Sequence, residues 1–275
     1  MLPKAKKSYG QNFLIDQSVV DKILVAADLK KGESVLEIGP GTGLLTQALV
    51  GSKARIVAVE LDHDLIEPLV KHFGDKIELI EGDILRIETL PVEDGAYKLI
   101  ANIPYNITSA IIERFLTQSP RPTRMILMVQ REVADRIVAK PPQMSLLSVV
   151  CQLYADCTRV VNVKAGSFRP IPKVDSAVVQ FTLRSPSPYE GEGRGEVLDP
   201  ERVITLAKMG FISKRKQLHH NLLPYVRVRI PEATSEDVKA LFVSIGHDPR
   251  VRAESLTVAD WIKLEEVIRN RSVQA

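Results

Sequence analysis

The sequence predicts an α/β fold, a Rossmann-like parallel sheet covered by helices on both faces and followed by a small helical domain. Three observations predict it. Short apolar runs alternate with helix-spaced segments from residue 34 to about residue 138, as in sheets built from β-α-β units. Successive strand exits carry a glycine loop, Glu60 and Asp83, at the edge where open α/β sheets bind ligands. A stretch dense in Pro, Gly and Ser at 185–195 reads as a linker, and no convincing strand pattern appears beyond it.

The elements follow in order. Residues 1–9 read as a mobile basic arm. Residues 10–16 lead into a helix through about residue 29, with Asp16 as its N-cap and Val20, Ile23, Leu24 and Ala27 on one face. Strand 34–38 runs into Gly39-Pro40-Gly41-Thr42-Gly43 and a helix to about residue 50. Strand 55–59 ends at Glu60, and a helix follows at 63–73 with Pro68 inside its pattern, which loosens its boundaries. Strand 76–80 exits at Glu81-Gly82-Asp83. Strand 97–101 exits at Asn102-Ile103-Pro104-Tyr105 and precedes a helix. Strand 125–129 and a helix to about residue 138 come next. Residues 148–163 are strand-rich, and 176–183 alternate as a last strand. Short helices are expected at 203–211, 214–223, 236–243 and 259–269. The expected organisation is an arm at 1–9, a Rossmann-like domain at 10–185, a linker at 186–196 and a helical domain at 197–275.

With 275 residues and 45% apolar content, the chain can bury one full core and still build a small second domain. The net charge of +3 is modest but unevenly placed. Seven Lys and Arg and no acid fall between residues 202 and 230, and Lys4, Lys6 and Lys7 precede the first acid, Asp16. Localised basic faces suit a polyanionic partner. Cys151 and Cys157 cannot build a disulfide framework or a complete zinc site, and they read as apolar filling in a reducing compartment. The N-terminus carries lysines instead of an apolar leader, and no run approaches the ~20 residues that span a bilayer. A cytoplasmic protein without membrane contact is expected.

The chemistry lies at the strand exits. The glycine spacing departs from the dinucleotide fingerprint, because Leu44 follows Gly43 where that pattern continues. Gly39 and Gly41 still let a ligand approach the backbone at a helix start, and S-adenosyl-L-methionine, with no pyrophosphate to cradle, suits the loop. Glu60 is placed to accept from ribose hydroxyls, and Asp83 from an adenine amine of the cofactor; each has a plain structural alternative, a solvated strand-end carboxylate and a helix cap. At the fourth exit, Asn102 and the Ile103 carbonyl, held by Pro104, offer two acceptors beside the flat face of Tyr105. Bonding the protons of an adenine amine there would draw its lone pair out of the ring toward a sulfonium methyl. Tyr105 would stack on a base flipped from its helix, and Phe168, in the proline-rich loop 167–175, could close the pocket's other face or simply fill the core. Lys214, Arg215 and Lys216 sit among apolar residues at helical spacing and would face phosphates. His219 and His220 lack partners at ligand spacing, so no metal is expected.

These motifs resemble the KsgA/RsmA family of ribosomal RNA adenine dimethyltransferases. The likeness runs through Gly10-Gln-Asn-Phe-Leu14, Glu37-Ile-Gly-Pro-Gly-Thr-Gly43, Val59-Glu-Leu-Asp62, Gly82-Asp-Ile-Leu85, Asn102-Ile-Pro-Tyr105, Val129-Gln-Arg-Glu-Val-Ala134 and Phe168 to Ser176, and on into the C-terminal part. It implies a class I S-adenosylmethionine-dependent methyltransferase sheet. It also implies dimethylation of two adjacent adenines in a hairpin near the 3′ end of small-subunit rRNA, within an assembling subunit. From the resemblance alone come cofactor contacts at Asn12, Leu14 and Ile84, beside Gly39, Gly41, Glu60, Asp83 and Asn102. A monomer is expected. Two departures stand out: residues 143–148 lack the Tyr-Gly-x-Leu-Ser form, and Trp261 replaces a common phenylalanine. The erythromycin-resistance type of large-subunit rRNA methyltransferase is the runner-up, but its glycine loop usually carries lysine where Thr42 stands here. A non-catalytic assembly factor is the third reading.

Overall fold

The computed structural model describes residues 3, 5–184, 199–213 and 216–274. The chain divides into two compact units, residues 1–135 with 154–185, and residues 136–153 with 186–275. Residues 136–153 thus join the second unit, whereas the sequence pattern grouped them with the first. The expected linker at 186–196 falls outside the described residues.

The first unit is built on a seven-stranded sheet among the described residues. Its strands are β2 (Ser34–Ile38), β3 (Arg55–Glu60), β4 (Glu78–Glu81), β5 (Tyr97–Asn102), β6 (Arg124–Gln130), β7 (Ala155–Val163) and β9 (Ser176–Leu183). They lie in the order β4-β3-β2-β5-β6-β9-β7. β2 to β6 are parallel, as the alternation with helices requires. The last two strands depart from the expected parallel sheet, since β9 runs antiparallel to β6 and β7 antiparallel to β9. No crossover helix separates β7 from β9, so a reversed strand is the geometry that their short connection allows.

The helices are α1 (Gln17–Ala27), α2 (Leu44–Gly51), α3 (His63–Phe73), α4 (Thr108–Thr117), α5 (Arg131–Ile137) and α6 (Leu146–Tyr154). Asp16 caps α1 by accepting from the Ser18 N–H, as expected. Val20, Ile23 and Ala27 of α1 are buried in the core beneath the sheet. Pro68 sits inside α3, which runs on unbroken to Phe73. Residues 148–154 belong to α6 and not to a strand; Ser148 and Gln152, four apart, stand on one helical face, a spacing that the β-branched and apolar residues between them masked. Gly43, at φ +83°, opens α2, and a Cβ there would meet Phe73 of α3 at 2.7 Å. Its glycine therefore serves close helix packing as well as the turn.

Two segments were not legible as structure. Phe13–Leu14 forms a short strand, β1, paired antiparallel with β8 (Phe168–Arg169). Upstream, Lys7–Tyr9 makes one 3₁₀ turn, and Lys6 is ion-paired with Asp62. The expected mobile arm is thus tied down at Lys6.

The second unit takes in α6 up to Leu153 and carries α7 (Pro200–Gly210), α8 (Leu218–Arg227), α9 (Ser235–Ser244) and α10 (Val258–Gln274). α8 starts at Leu218 instead of residue 214, with Gln217 at its N-cap position making no side-chain bond to the first turn. Trp261 is fully buried, its ring tip packed so close to Gly210 that a Cβ there would overlap it. The larger ring at 261 is accommodated by the absence of a side chain at 210. No helix among the described residues is long and apolar enough to cross a membrane.

Candidate active site

β2 and β5 are hydrogen-bonded neighbours, yet the chain leaves them in opposite directions, toward β3 on one side and β6 on the other. A crevice necessarily opens at the carboxyl ends of two such strands. Register sets its corners: Ile38 pairs with Ala101 across β2 and β5, Ile38 with Val59, and Glu60 with Glu81. The glycine loop, Glu60, Asp83 and Asn102 consequently emerge on one rim.

A cleft of about 940 Å³, partly open to solvent, occupies that rim. Its lining includes Gly39, Gly41, Glu60, Asp83, Ile84, Asn102, Ile103, Pro104 and Tyr105, and Asn12 from the N-terminal segment. Leu14 lines a smaller adjoining hollow with Gly39, Gly41 and Asn102. Phe168 is not among the lining residues; its ring is 1% exposed and packs in the core. The pairing of β8 with β1 turns it inward, so in this structure it presents no face to the cleft. Lys216 is exposed in the second unit, and Lys214 and Arg215 lie outside the described residues.

Each cleft residue is held in a definite way. Glu60 is buried, and its carboxylate accepts from the Gly41 N–H at 3.0 Å and the Asp62 N–H at 2.9 Å. Burial raises its pKa, with those backbone donors opposing the rise. Asp83 accepts from the Leu85 N–H at 2.9 Å, so it closes its own turn while lining the cleft. Gly39 adopts φ +67°, and a Cβ there would meet nothing within 4 Å on the protein side. Pro104 is extended (φ −55°, ψ 133°) and opens the 3₁₀ turn Tyr105–Ile107. The Tyr105 hydroxyl bonds Ser176 Oγ at 2.7 Å, and burial raises its pKa. Asn102 Nδ2 donates to the Asn12 carbonyl at 3.2 Å.

One acid behind the rim is unusual. Glu37, on β2, is fully buried with neither carboxyl oxygen hydrogen-bonded, and the Thr46 hydroxyl beside it is likewise outside hydrogen-bond geometry. Burial, opposed by the neighbouring Thr46 hydroxyl and aided by the charge of Glu60, pushes its carboxyl up to about 8, so it is largely protonated at neutral pH.

The donor set fits S-adenosyl-L-methionine. A buried carboxylate matches a ribose diol, a second acid matches an adenine amine, Ile84 offers an apolar wall, and glycines admit a ligand to the backbone. Sequence reasoning missed Ser8, Tyr9, Gln11, Asn106 and Ile107 as lining residues and Ser176 as the partner of Tyr105. Asn106 and Ile107 simply continue the Asn102–Tyr105 stretch and Gln11 stands inside the Gly10–Leu14 motif, whereas Ser8, Tyr9 and Ser176 carry no local signal and reach the rim by long-range packing. Among the described residues, no group of three or more His, Cys, Asp or Glu is placed to hold a metal ion.

Comparison with known proteins agrees with this geometry. The family model described as ribosomal RNA adenine dimethylase matches residues 2–268. A protein of Thermosynechococcus vestitus named ribosomal RNA small subunit methyltransferase A is 40% identical over 274 residues, covering 97% of each chain. One of the same name from Dehalococcoides mccartyi is 40% identical over 265 residues, covering 95% of this chain and 87% of its own. The crystal structure of a dimethyladenosine transferase from Plasmodium falciparum superposes with a TM-score of 0.76 at 26% identity, over 95% of this chain and 98% of that one. That of the 23S rRNA methyltransferase ErmE gives 0.75 at 27% identity, over 94% and 100%.

Proposed function

The chain belongs to the ribosomal RNA adenine dimethylase family, S-adenosyl-L-methionine-dependent rRNA adenine dimethyltransferases, and from that premise we propose that its substrate is small-subunit rRNA. The targets in this reading are the exocyclic amines of two adjacent adenines in a hairpin near the 3′ end, methylated while the subunit assembles. The observation that carries it is the meeting in one cleft of a cofactor set, Gly39, Glu60, Asp83 and Ile84, with Asn102, Ile103, Pro104 and Tyr105. The 40% identity to small-subunit enzymes favours that subunit over the large one.

The residues divide the work. The bound cofactor supplies an electrophilic methyl on a sulfonium. Glu60 would hold its ribose and Asp83 its adenine amine, with Asn12 and Leu14 beside them at the rim. Asn102 and the Ile103 carbonyl accept from the target amine, which is a poor nucleophile while its lone pair is delocalised. Holding those protons would draw the nitrogen toward tetrahedral geometry and free its lone pair for a sulfonium methyl. The methylated ammonium is acidic enough to give its proton to water, so the transfer requires neither a strong base nor a metal. Tyr105 supplies the stacking face for the flipped base, on a ring whose hydroxyl is anchored at Ser176. Phe168, buried beside β1, would need to rotate out to add a second face. The basic side chains of the helical unit, Lys214, Arg215 and Lys216 among them, contact phosphates. We place this activity in a cytoplasmic monomer.

The test supplies labelled S-adenosyl-L-methionine to undermethylated small subunits, mature small subunits and large-subunit RNA in parallel. Dimethyladenine only in the undermethylated small subunits upholds the proposal. Label in large-subunit RNA would transfer the chain to the resistance type, and tight subunit binding without label would make it an assembly factor.

A further inference from the structure

The N-terminal segment lines the cleft and is fastened at both ends. At one end stands Asp62, 2% exposed. Its Oδ1 receives Lys6 Nζ at 2.5 Å and its Oδ2 receives Gln11 Nε2 at 2.8 Å. Lys6 also reaches Asp64 at 2.6 Å, and its backbone N–H donates to Gln11 Oε1 at 2.7 Å. The Asp62 N–H in turn donates to Glu60, whose other oxygen holds the glycine loop at Gly41. At the other end, the Asn12 carbonyl accepts from Asn102 Nδ2 at 3.2 Å. With Nδ2 committed there, Oδ1 is the amide atom left to accept from a substrate amine. Between the two ends Gly10, at φ +64°, lies so close to the catalytic loop that a Cβ would stand 3.1 Å from Asn106 Oδ1 and 3.7 Å from Pro104.

We propose that Asp62 is a positioning residue for methyl transfer: it clamps Lys6 and Gln11 at the exit of β3, and through the segment up to Asn12 it fixes the amide of Asn102. The inference rests on the methyltransferase reading above and adds to it the device that aligns the cofactor rim with the catalytic amide. The clamp needs an anion, and the site provides one. Burial pulls the Asp62 carboxyl upward, but the hydrogen bonds from Lys6, Gln11 and the Asp64 N–H together hold it below the ordinary range. Neither Lys6 nor Gln11 belongs to the sheet core, so both can be replaced without removing core packing.

The test compares wild type with Lys6→Ala, Gln11→Ala, Lys6→Arg and Asp62→Asn. Single-turnover methylation of undermethylated small subunits, at saturating S-adenosyl-L-methionine, should fall roughly tenfold in Lys6→Ala and Gln11→Ala, the scale of one charge-assisted hydrogen bond. Affinity for the subunit should stay within about twofold, since no phosphate contact of the helical unit is touched. Lys6→Arg should recover most of the rate, and Lys6→Ala combined with Asp62→Asn should be no slower than the slower single variant. Amide hydrogen exchange at residues 5–12 should quicken in Lys6→Ala. Wild-type turnover in both Lys6→Ala and Gln11→Ala, or exchange equal to wild type, overturns the proposal. If wild type methylates no rRNA at all, it is the functional reading that falls. The exchange comparison needs no substrate and still upholds or overturns the clamp.

Discussion

The hydroxyl of Tyr105 lies 2.7 Å from Oγ of Ser176, joining residues 71 apart in the chain. Tyr105 belongs to the loop after β5, and Ser176 is the first, fully buried residue of β9. The contact fixes the ring from behind, which a stacking face requires. Tyr105→Phe and Ser176→Ala should each slow methylation about fivefold, the scale of ~1 kcal/mol for one hydrogen bond. Combined they should cost little more than either alone, because they delete the same bond. Additive losses in single-turnover rates would refute the link.

Asn102→Ala should reduce methylation on the order of 10²–10³-fold while leaving subunit binding within about twofold. Asn102 is at the rim, half-buried, and its loss removes the amide proposed to face the amine without emptying the core. Parallel turnover and filter-binding measurements decide it; unchanged turnover would sink the mechanism.

Glu60→Gln and Asp83→Ala should weaken S-adenosyl-L-methionine binding by on the order of 10–100-fold, the range for hydrogen bonds to a charged acceptor. Calorimetric titration with the cofactor alone reads this directly. Affinity unchanged in both variants would remove these acids from the cofactor site.

Glu37 should make stability depend on pH. Its carboxyl titrates near 8 when folded against an ordinary 4.5. Below 4.5 both folded and unfolded chains hold the proton; between 4.5 and 8 only the folded chain does. Stability from this group is therefore lost as pH rises through that window, by at most ~1.4 kcal/mol per pH unit, and the loss is complete above 8. Glu37→Gln should flatten the trend, so its melting temperature should overtake that of wild type between pH 5 and 8. Parallel melting curves for the two proteins would discount the burial effect.

Subunit affinity should fall steeply with salt, since Lys208, Lys216 and Arg227 are exposed on the helical unit. Replacing all three by alanine should lower the slope of log affinity against log salt by up to ~0.7–0.9 for each lost phosphate contact. An unchanged slope would assign RNA contact to another surface.

The sequence by itself determined the parallel half of the sheet and which residue types stand at its exits. Hydrophobic period and the Gly, Glu, Asp and Asn-Ile-Pro-Tyr signals are local, and a parallel sheet gathers strand exits on one edge whatever lies between them. Tertiary structure alone decided the rest. The segment that became α6 carries Ser148 and Gln152 at helical spacing among Val149, Val150 and Cys151, and such a short, strand-prone stretch is ambiguous until its neighbours are in place. Phe168 was legible as an aromatic in a rigid loop, but its inward turn depends on β8 pairing with Phe13–Leu14, residues more than 150 positions away. Lys6 read as part of a loose basic arm because its partner, Asp62, lies at the far end of β3. Asn102 announced its type and place, while the atom it presents follows from the Asn12 carbonyl. Sequence spacing fixes which groups stand along an edge; their orientation comes from bonds between segments that only the folded chain brings together.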